Sequence, residues 1–169
     1  MNHDTILAID PGTRELGYAV LRGRRLIASD AVRLGPLPKA QRLPAVRKLL
    51  QTLVAAHKPR AIVVEKTYRH PVPWLDRLHR ITLAARRIAK QRRIAFATYA
   101  PQAVRQGVAG NGKAKKPEVA VAVAQHFREL RVLLTQDFRW KERLWLNRFD
   151  AIALGLYHQS LTNPPSRSR

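Results

Sequence analysis

The order of short apolar runs constrains this chain most. Thr5 to Ile9 (TILAI) and Gly17 to Leu21 (GYAVL) are brief and continuous, while Arg25 to Leu34 alternates loosely through Leu26, Ala28, Val32 and Leu34. Runs of this length predict strands. Their connections, Asp10-Pro11-Gly12-Thr13 and Arg22-Gly23-Arg24, are short and contain Gly, so an antiparallel meander is expected. Gly35 to Pro38 then opens a helical stretch, with Val46, Leu49, Leu50, Leu53 and Val54 forming an i, i+3, i+4, i+7, i+8 stripe that runs to about His57. Lys58-Pro59 ends it, and Ala61 to Val64 follows as a buried-type strand closing on Glu65. A second helix is expected from Pro73 to Gln91, with Leu75, Leu78, Ile81, Leu83, Ala85 and Ile88 inward. Strand Ile94 to Tyr99, a helical turn from Pro101 to Gln106 and a Gly-rich loop come next. Pro117 suits the first turn of a helix reaching about Leu130, and after a poorly patterned connection (Thr135 to Trp140) a last helix spans about Lys141 to Ser160. The order βββ-α-β-α-β-α-α predicts an α/β fold, a mixed β-sheet flanked by α-helices. One domain should cover residues 1–162, with a disordered Pro/Ser/Arg-rich tail at 163–169.

Charge decides the partner class. Lys and Arg number 32 against 11 Asp and Glu, a formal net charge of +21. A domain this basic attracts polyanions, and nucleic acid is the expected partner. A solvated basic surface, or docking in a ribosome-like assembly for charge neutralisation, is the alternative. Cysteine is absent, which excludes disulfides, a thiol nucleophile and Cys-ligated zinc or iron–sulfur sites. With no signal-peptide pattern and no apolar run near the ~20 residues of a membrane span, a cytoplasmic, nucleoid-associated protein that is not secreted and not membrane-bound is expected.

Few acids remain, so their positions carry weight. Asp4, Glu15, Asp30, Asp76, Glu118, Glu129 and Glu142 fall near element ends or on polar helix faces, as surface charges do. Three do not. Asp10 ends an apolar strand, Glu65 ends another, and Asp150 lies in the most apolar part of the last helix, before AIALGL. Burying a lone carboxylate costs several kcal/mol unless it is paired or bound to a cation. Brought together, these acids would either be paired by the abundant Lys and Arg or hold hard divalent ions. A pair of such ions can activate water in phosphodiester hydrolysis.

These residues resemble a known family. Ile9-Asp10-Pro11-Gly12-Thr13 with Gly17-Tyr18 is similar to the opening motif of the RuvC Holliday-junction resolvases. Val64-Glu65-Lys66-Thr67-Tyr68 resembles the second acidic motif, and Tyr99-Ala100-Pro101, Val104-Arg105-Gln106 and Gly110 to Lys116 resemble the third region. Asp150-Ala151-Ile152-Ala153-Leu154 with His158 resembles the C-terminal helix, so the similarity runs in order from about residue 6 to 158. It implies an RNase H-like fold, a homodimer, and paired nicking of four-way junction DNA with two ions of Mg²⁺ (or Mn²⁺) per active site. Asp10, Glu65 and Asp150 match metal-ligand positions. Lys116 matches the basic residue near the scissile phosphate, and Tyr68 the aromatic that stacks at the junction centre. Arg105 stands where the family usually has lysine, and a guanidinium can still hold phosphate. Lys113, Lys115 and Lys116 would add charge against DNA.

One position departs from the family. Its fourth acidic site lies one helical turn before the last aspartate, and here that residue is Asn147. The i, i+3 spacing keeps Asn147 and Asp150 on one face, so the amide oxygen can serve as a neutral ligand and the second ion should bind more weakly. Asp137 is a remoter substitute. The Asn147 replacement leaves open a catalytically impaired junction-binding protein, and an RNA-processing nuclease of the same fold is a further alternative.

Other signals point elsewhere and are weaker. Gly107 to Ala114 (GVAGNGKA) nearly matches GxxxxGK[ST], but Ala114 lacks the hydroxyl that would ligate Mg²⁺, so no nucleotide cofactor is expected. The same glycines can let backbone approach DNA phosphate. His57, His70, His79 and His126 show no metal spacing, and His158 lies about 12 Å along the helix from Asp150 at 1.5 Å per residue. The basic stretch Arg77 to Arg93 is expected to cover the sheet or a dimer partner with its apolar residues and to track DNA with its arginines.

Overall fold

The computed structural model describes residues 4–68, 71, 73–134 and 142–162. Strands β1 (Thr5–Asp10), β2 (Glu15–Arg22) and β3 (Arg25–Arg33) form the expected antiparallel meander. Gly23, at φ +55°, makes the tight turn between β2 and β3. Helix α1 (Lys39–His57) carries the chain over the sheet to β4 (Ala61–Glu65), which pairs parallel to β1. Helix α2 (Pro73–Arg92) does the same for β5 (Ala95–Tyr99), parallel to β4. The result is one five-stranded mixed sheet, ordered β3-β2-β1-β4-β5.

The remaining helices are α3 (Pro101–Ala109), α4 (Lys116–His126), a 3₁₀ turn at Arg128–Leu130 running into α5 (Arg131–Leu134), and α6 (Glu142–Thr162). Alternation along the strands splits the core in two. Leu7, Ile9, Leu16 and Val20 pack with Val46, Leu50, Ile81 and Ile88 of α1 and α2. On the opposite face Ile6, Ala8, Ala19 and Leu21 pack with Val104 of α3, Val119 and Val123 of α4, and Phe149 and Ile152 of α6.

The structure corrects several expectations. Helix α3 runs on to Ala109 rather than stopping at Gln106, because Gly110 closes it in the left-handed conformation (φ +72°) with its N–H on the Gln106 carbonyl, 3.1 Å away. Helix α4 ends at His126, short of Leu130. Phe127 turns to an extended conformation (φ −125°, ψ 92°), and the turn that follows lets Phe127 and Leu130 both bury. Leu83 of α2 is 47% exposed, not inward, since Ile81, Ala85 and Ile88 already fill the stripe against the sheet. The connection at 135–140, the tail at 163–169, Asp137, His70 and the side chain of Leu75 lie outside the described residues. Among the described residues no helix is long and apolar enough to cross a membrane.

Candidate active site

Sheet register brings the first two acids together. The parallel pairing of β1 with β4 sets Ile9 beside Val64, so the next residues, Asp10 and Glu65, end adjacent strands. In β1 the side chains of Ile6 and Ala8 face the α6 core, and alternation sends Asp10 the same way. In β4, Ala61 and Val63 do so, and Glu65 follows. Asp10 is buried, at 9% exposure, and Glu65 is half-buried.

Helix α6 brings the third acid, and two glycines set its height above the sheet. A Cβ on Gly17, the residue paired with Asp10 across β1 and β2, would lie 2.0 Å from the backbone oxygen of Asn147. A Cβ on Gly155 would lie 2.4 Å from Leu21 Cδ1. The helix thus rests on the sheet at two points along its length, and Asp150 comes down over the strand ends between them. Helix α3 is held against α6 in the same way, with a Cβ on Gly107 falling 2.4 Å from the Tyr157 ring.

Lys116, at the start of α4, closes the cluster. Its Nζ forms an ion pair with Asp150 Oδ2 and donates to Asn147 Oδ1 at 3.0 Å. Asn147 Nδ2 in turn donates to Glu15 Oε2 at 3.2 Å. Arg105 of α3 acts on both Asp10 and Glu65 by its charge.

Burial, with the crowding of the acids, outweighs these cations. Burial, then the charges of Glu65 and Asp150, hold the Asp10 carboxyl well above the usual aspartate range, against the opposing pull of Lys116 and Arg105. Burial and Asp150 push Glu65 up to about 7. Burial works to lower the Lys116 ammonium, but Asp150, Asp10 and Glu65 prevail and raise it. A site in which burial disfavours the charged forms of Asp10 and Glu65, with oxygen donors from Asp10, Glu65, Asp150 and Asn147, fits a hard divalent cation. As the side chains stand, no three acidic or histidine groups among the described residues are arranged as an ion-holding set. The Lys116 ammonium instead occupies the place where Asn147 Oδ1 and Asp150 meet.

The residues expected to meet DNA lie on exposed segments. Tyr68, beyond the end of β4, is 64% exposed, with Lys66 Nζ 5.1 Å from its ring centroid. Lys113 and Lys115 are exposed on the loop between α3 and α4, where Asn111 Oδ1 accepts from the Lys113 N–H at 2.9 Å and so shapes the turn. His158 stays apart from the acids and accepts or donates to Tyr99 OH at 2.7 Å.

Two residues escaped the sequence reading. Glu15, grouped there with the surface acids, is half-buried and bonded into the site through Asn147. Its signal was alternation: Glu15 lies two residues before Gly17, which pairs with Asp10, so all share one sheet face. Arg42 of α1 donates to the carbonyls of Leu37, Thr13 and Gly35, at 3.0, 3.1 and 2.9 Å, and thereby holds the loop that follows Asp10. No local pattern marks it.

A family model described as crossover junction endodeoxyribonuclease RuvC matches residues 6–137. The crossover junction endodeoxyribonuclease RuvC of Alkalilimnicola ehrlichii is 34% identical over 170 residues, covering 97% of this chain and 96% of that protein. Its counterpart from Halorhodospira halophila is 30% identical, covering 95% of this chain and 92% of the relative. Among solved structures, Thermus thermophilus RuvC in complex with Holliday junction substrate superposes with a TM-score of 0.74 at 25% identity, covering 95% of each chain. The yeast mitochondrial Holliday junction resolvase shares the fold at 14% identity, with a TM-score of 0.62 over 94% of this chain and 80% of that one.

Proposed function

This chain belongs to the RuvC family of crossover junction endodeoxyribonucleases and is a Holliday-junction resolvase of RNase H-like fold; we propose that it nicks opposed strands through Asp10, Glu65 and Asp150, with Asn147 as a neutral fourth ligand. The observation that carries the site assignment is the convergence of these acids from β1, β4 and α6, where burial and then their mutual repulsion lift Asp10 and Glu65. The family is metal-dependent, and two Mg²⁺ ions, with Mn²⁺ as substitute, would neutralise the acids, activate water and stabilise the leaving oxygen. Lys116 would then be released from Asp150 to hold the scissile phosphate, and Arg105 would steady the same backbone. Attack in line would leave 5′-phosphate and 3′-hydroxyl ends.

Junction DNA is the proposed substrate on three supports: the +21 net charge, exposed Tyr68 as a stacking platform, and Lys113 and Lys115 on the loop beside the acids. Affinity for it should fall steeply with salt. Paired nicks call for two active sites, and we place a homodimer contact on α2. There Leu83 is exposed beside Arg86, Arg87 and Lys90, and Phe96 lines the same surface. Residues 1–162 would act as one nuclease domain, since both halves of the core pack on the same sheet.

The test is cleavage of a labelled four-way junction in Mg²⁺ and in Mn²⁺, against duplex DNA and structured RNA, with Asp10→Asn as control. Paired nicks confined to the junction and lost in Asp10→Asn are expected. Tight junction binding without nicks in either metal would favour a second reading, binding without turnover, for which Asn147 in place of an acid is the specific motive. Preferential cutting of structured RNA would overturn the substrate.

A further inference from the structure

Asn147 is neutral where the family pattern calls for an acid, yet a carboxylate stands beside it. Glu15 begins β2 on the same sheet face as Gly17, and the α6 backbone at Asn147 rests directly on Gly17. The two side chains therefore meet, Asn147 Nδ2 donating to Glu15 Oε2 at 3.2 Å. We propose that Glu15 supplies from strand β2 the negative charge that α6 lacks at position 147, holding the Asn147 amide so that its Oδ1 serves as a divalent-cation ligand. The inference rests on the metal-dependent reading above.

Hydrogen-bond chemistry fixes the amide's direction. An ionised carboxylate only accepts and an ammonium only donates, so Asn147 can satisfy Glu15 and Lys116 together only with Nδ2 on the former and Oδ1 on the latter. Oδ1 consequently points at the place where a cation, the Lys116 ammonium, already lies against Asp150. A charge-assisted bond from Nδ2 to a carboxylate also draws electron density toward Oδ1, improving it as a donor to a hard ion. Carboxylates standing behind metal ligands commonly play this part. Glu15 is thus a positioning residue. An aspartate at position 147 would put two carboxylates within hydrogen-bonding distance, and they would repel. A carboxylate at position 15 with an amide at 147, and an amide at 15 with a carboxylate at 147, are therefore two arrangements of one charge.

The experiment exploits that equivalence and needs no DNA. Mn²⁺ binding to the full chain is followed by electron paramagnetic resonance of the free ion for the parent, Glu15→Gln, Asn147→Asp and the double variant E15Q/N147D. The Glu15→Gln side chain retains an oxygen that can accept from the Asn147 amide, so a purely structural role predicts parent-like binding. Loss of the charge is expected to weaken Mn²⁺ at least about tenfold. The double variant should return to within about threefold of the parent, and Asn147→Asp alone should melt lower than the parent in EDTA and regain that loss in Mn²⁺. Parent-like Mn²⁺ affinity in Glu15→Gln, or no recovery in the double variant, overturns the role of Glu15 alone. A parent that stays folded yet binds no Mn²⁺ overturns the metal-dependent reading, and this inference with it.

Discussion

Gly17 and Asn147 touch through their backbones: a single carbon added to Gly17 would come within 2.0 Å of the Asn147 carbonyl oxygen. This contact is one of the two points at which α6 rests on the sheet, and the one nearer the strand ends. It sets the distance at which Asp150 approaches Asp10 and Glu65, and it places the Asn147 side chain beside Glu15.

Substituting Gly17→Ala should therefore damage site and stability together. The helix must lift from the sheet or the strand must bend, which for overpacking costs about 1–3 kcal/mol. Thermal melting followed by circular dichroism should show the loss, and junction cleavage should fall further than the stability change explains. Unaltered cleavage would mean that α6 does not need this seat.

The acid cluster gives stability a pH signature. Asp10 and Glu65 have folded-state values raised above their ordinary ones, Glu65 from 4.5 to about 7. The folded protein thus binds more protons than the unfolded chain across that interval, and metal-free stability should decline as pH rises from about 4.5 through about 7. Melts in EDTA across pH 4 to 8 measure it, and Glu65→Gln should flatten the decline. Saturating Mg²⁺ should also flatten it, because the ion takes the place of the protons.

Removing the Lys116 ammonium should separate binding from cutting. Lys116→Met deletes the partner of Asp150 and Asn147. Cleavage is expected to drop by about 10²–10³, the usual cost of one transition-state donor. Junction affinity in a gel-shift titration should change little, since one cation of a strongly basic surface is lost. A parallel collapse of both would assign Lys116 to DNA grip rather than to chemistry.

Tyr68 offers the opposite separation. It is 64% exposed, so Tyr68→Ala should alter stability by less than about 0.5 kcal/mol. If it stacks on a junction base, about 1–3 kcal/mol of junction binding should disappear, with duplex binding unaffected. Fluorescence of 2-aminopurine placed at the crossover would report the lost stack. Equal weakening on duplex and junction would refute a role at the centre.

Much of this was legible along the chain because it is encoded locally. Strand ends are marked where an apolar run breaks at an acid, which is why Asp10 and Glu65 stood out. Asp150 was visible as a charge inside an apolar helical stripe. The meander, the crossover helices and the mixed sheet followed from period and turn residues. The exposure of Leu83 was not legible, since helical periodicity gives a face but not its width, and the sheet fills that face with other residues. The end of α4 was missed because burial of Phe127 and Leu130, rather than any breaker residue, turns the chain.

Readable along the chain are the side chains available and the elements they ride on: scarce acids at strand ends, a basic surface, and an asparagine one turn before the last aspartate. Which of them meet is set by the packed fold. Lys116 reaches Asp150 across 34 residues of chain, and Asn147 reaches Glu15 across 132. Such pairings are set by strand register and by the seat of α6 on Gly17. Those depend on packing of the whole sheet, so no window of sequence contains them.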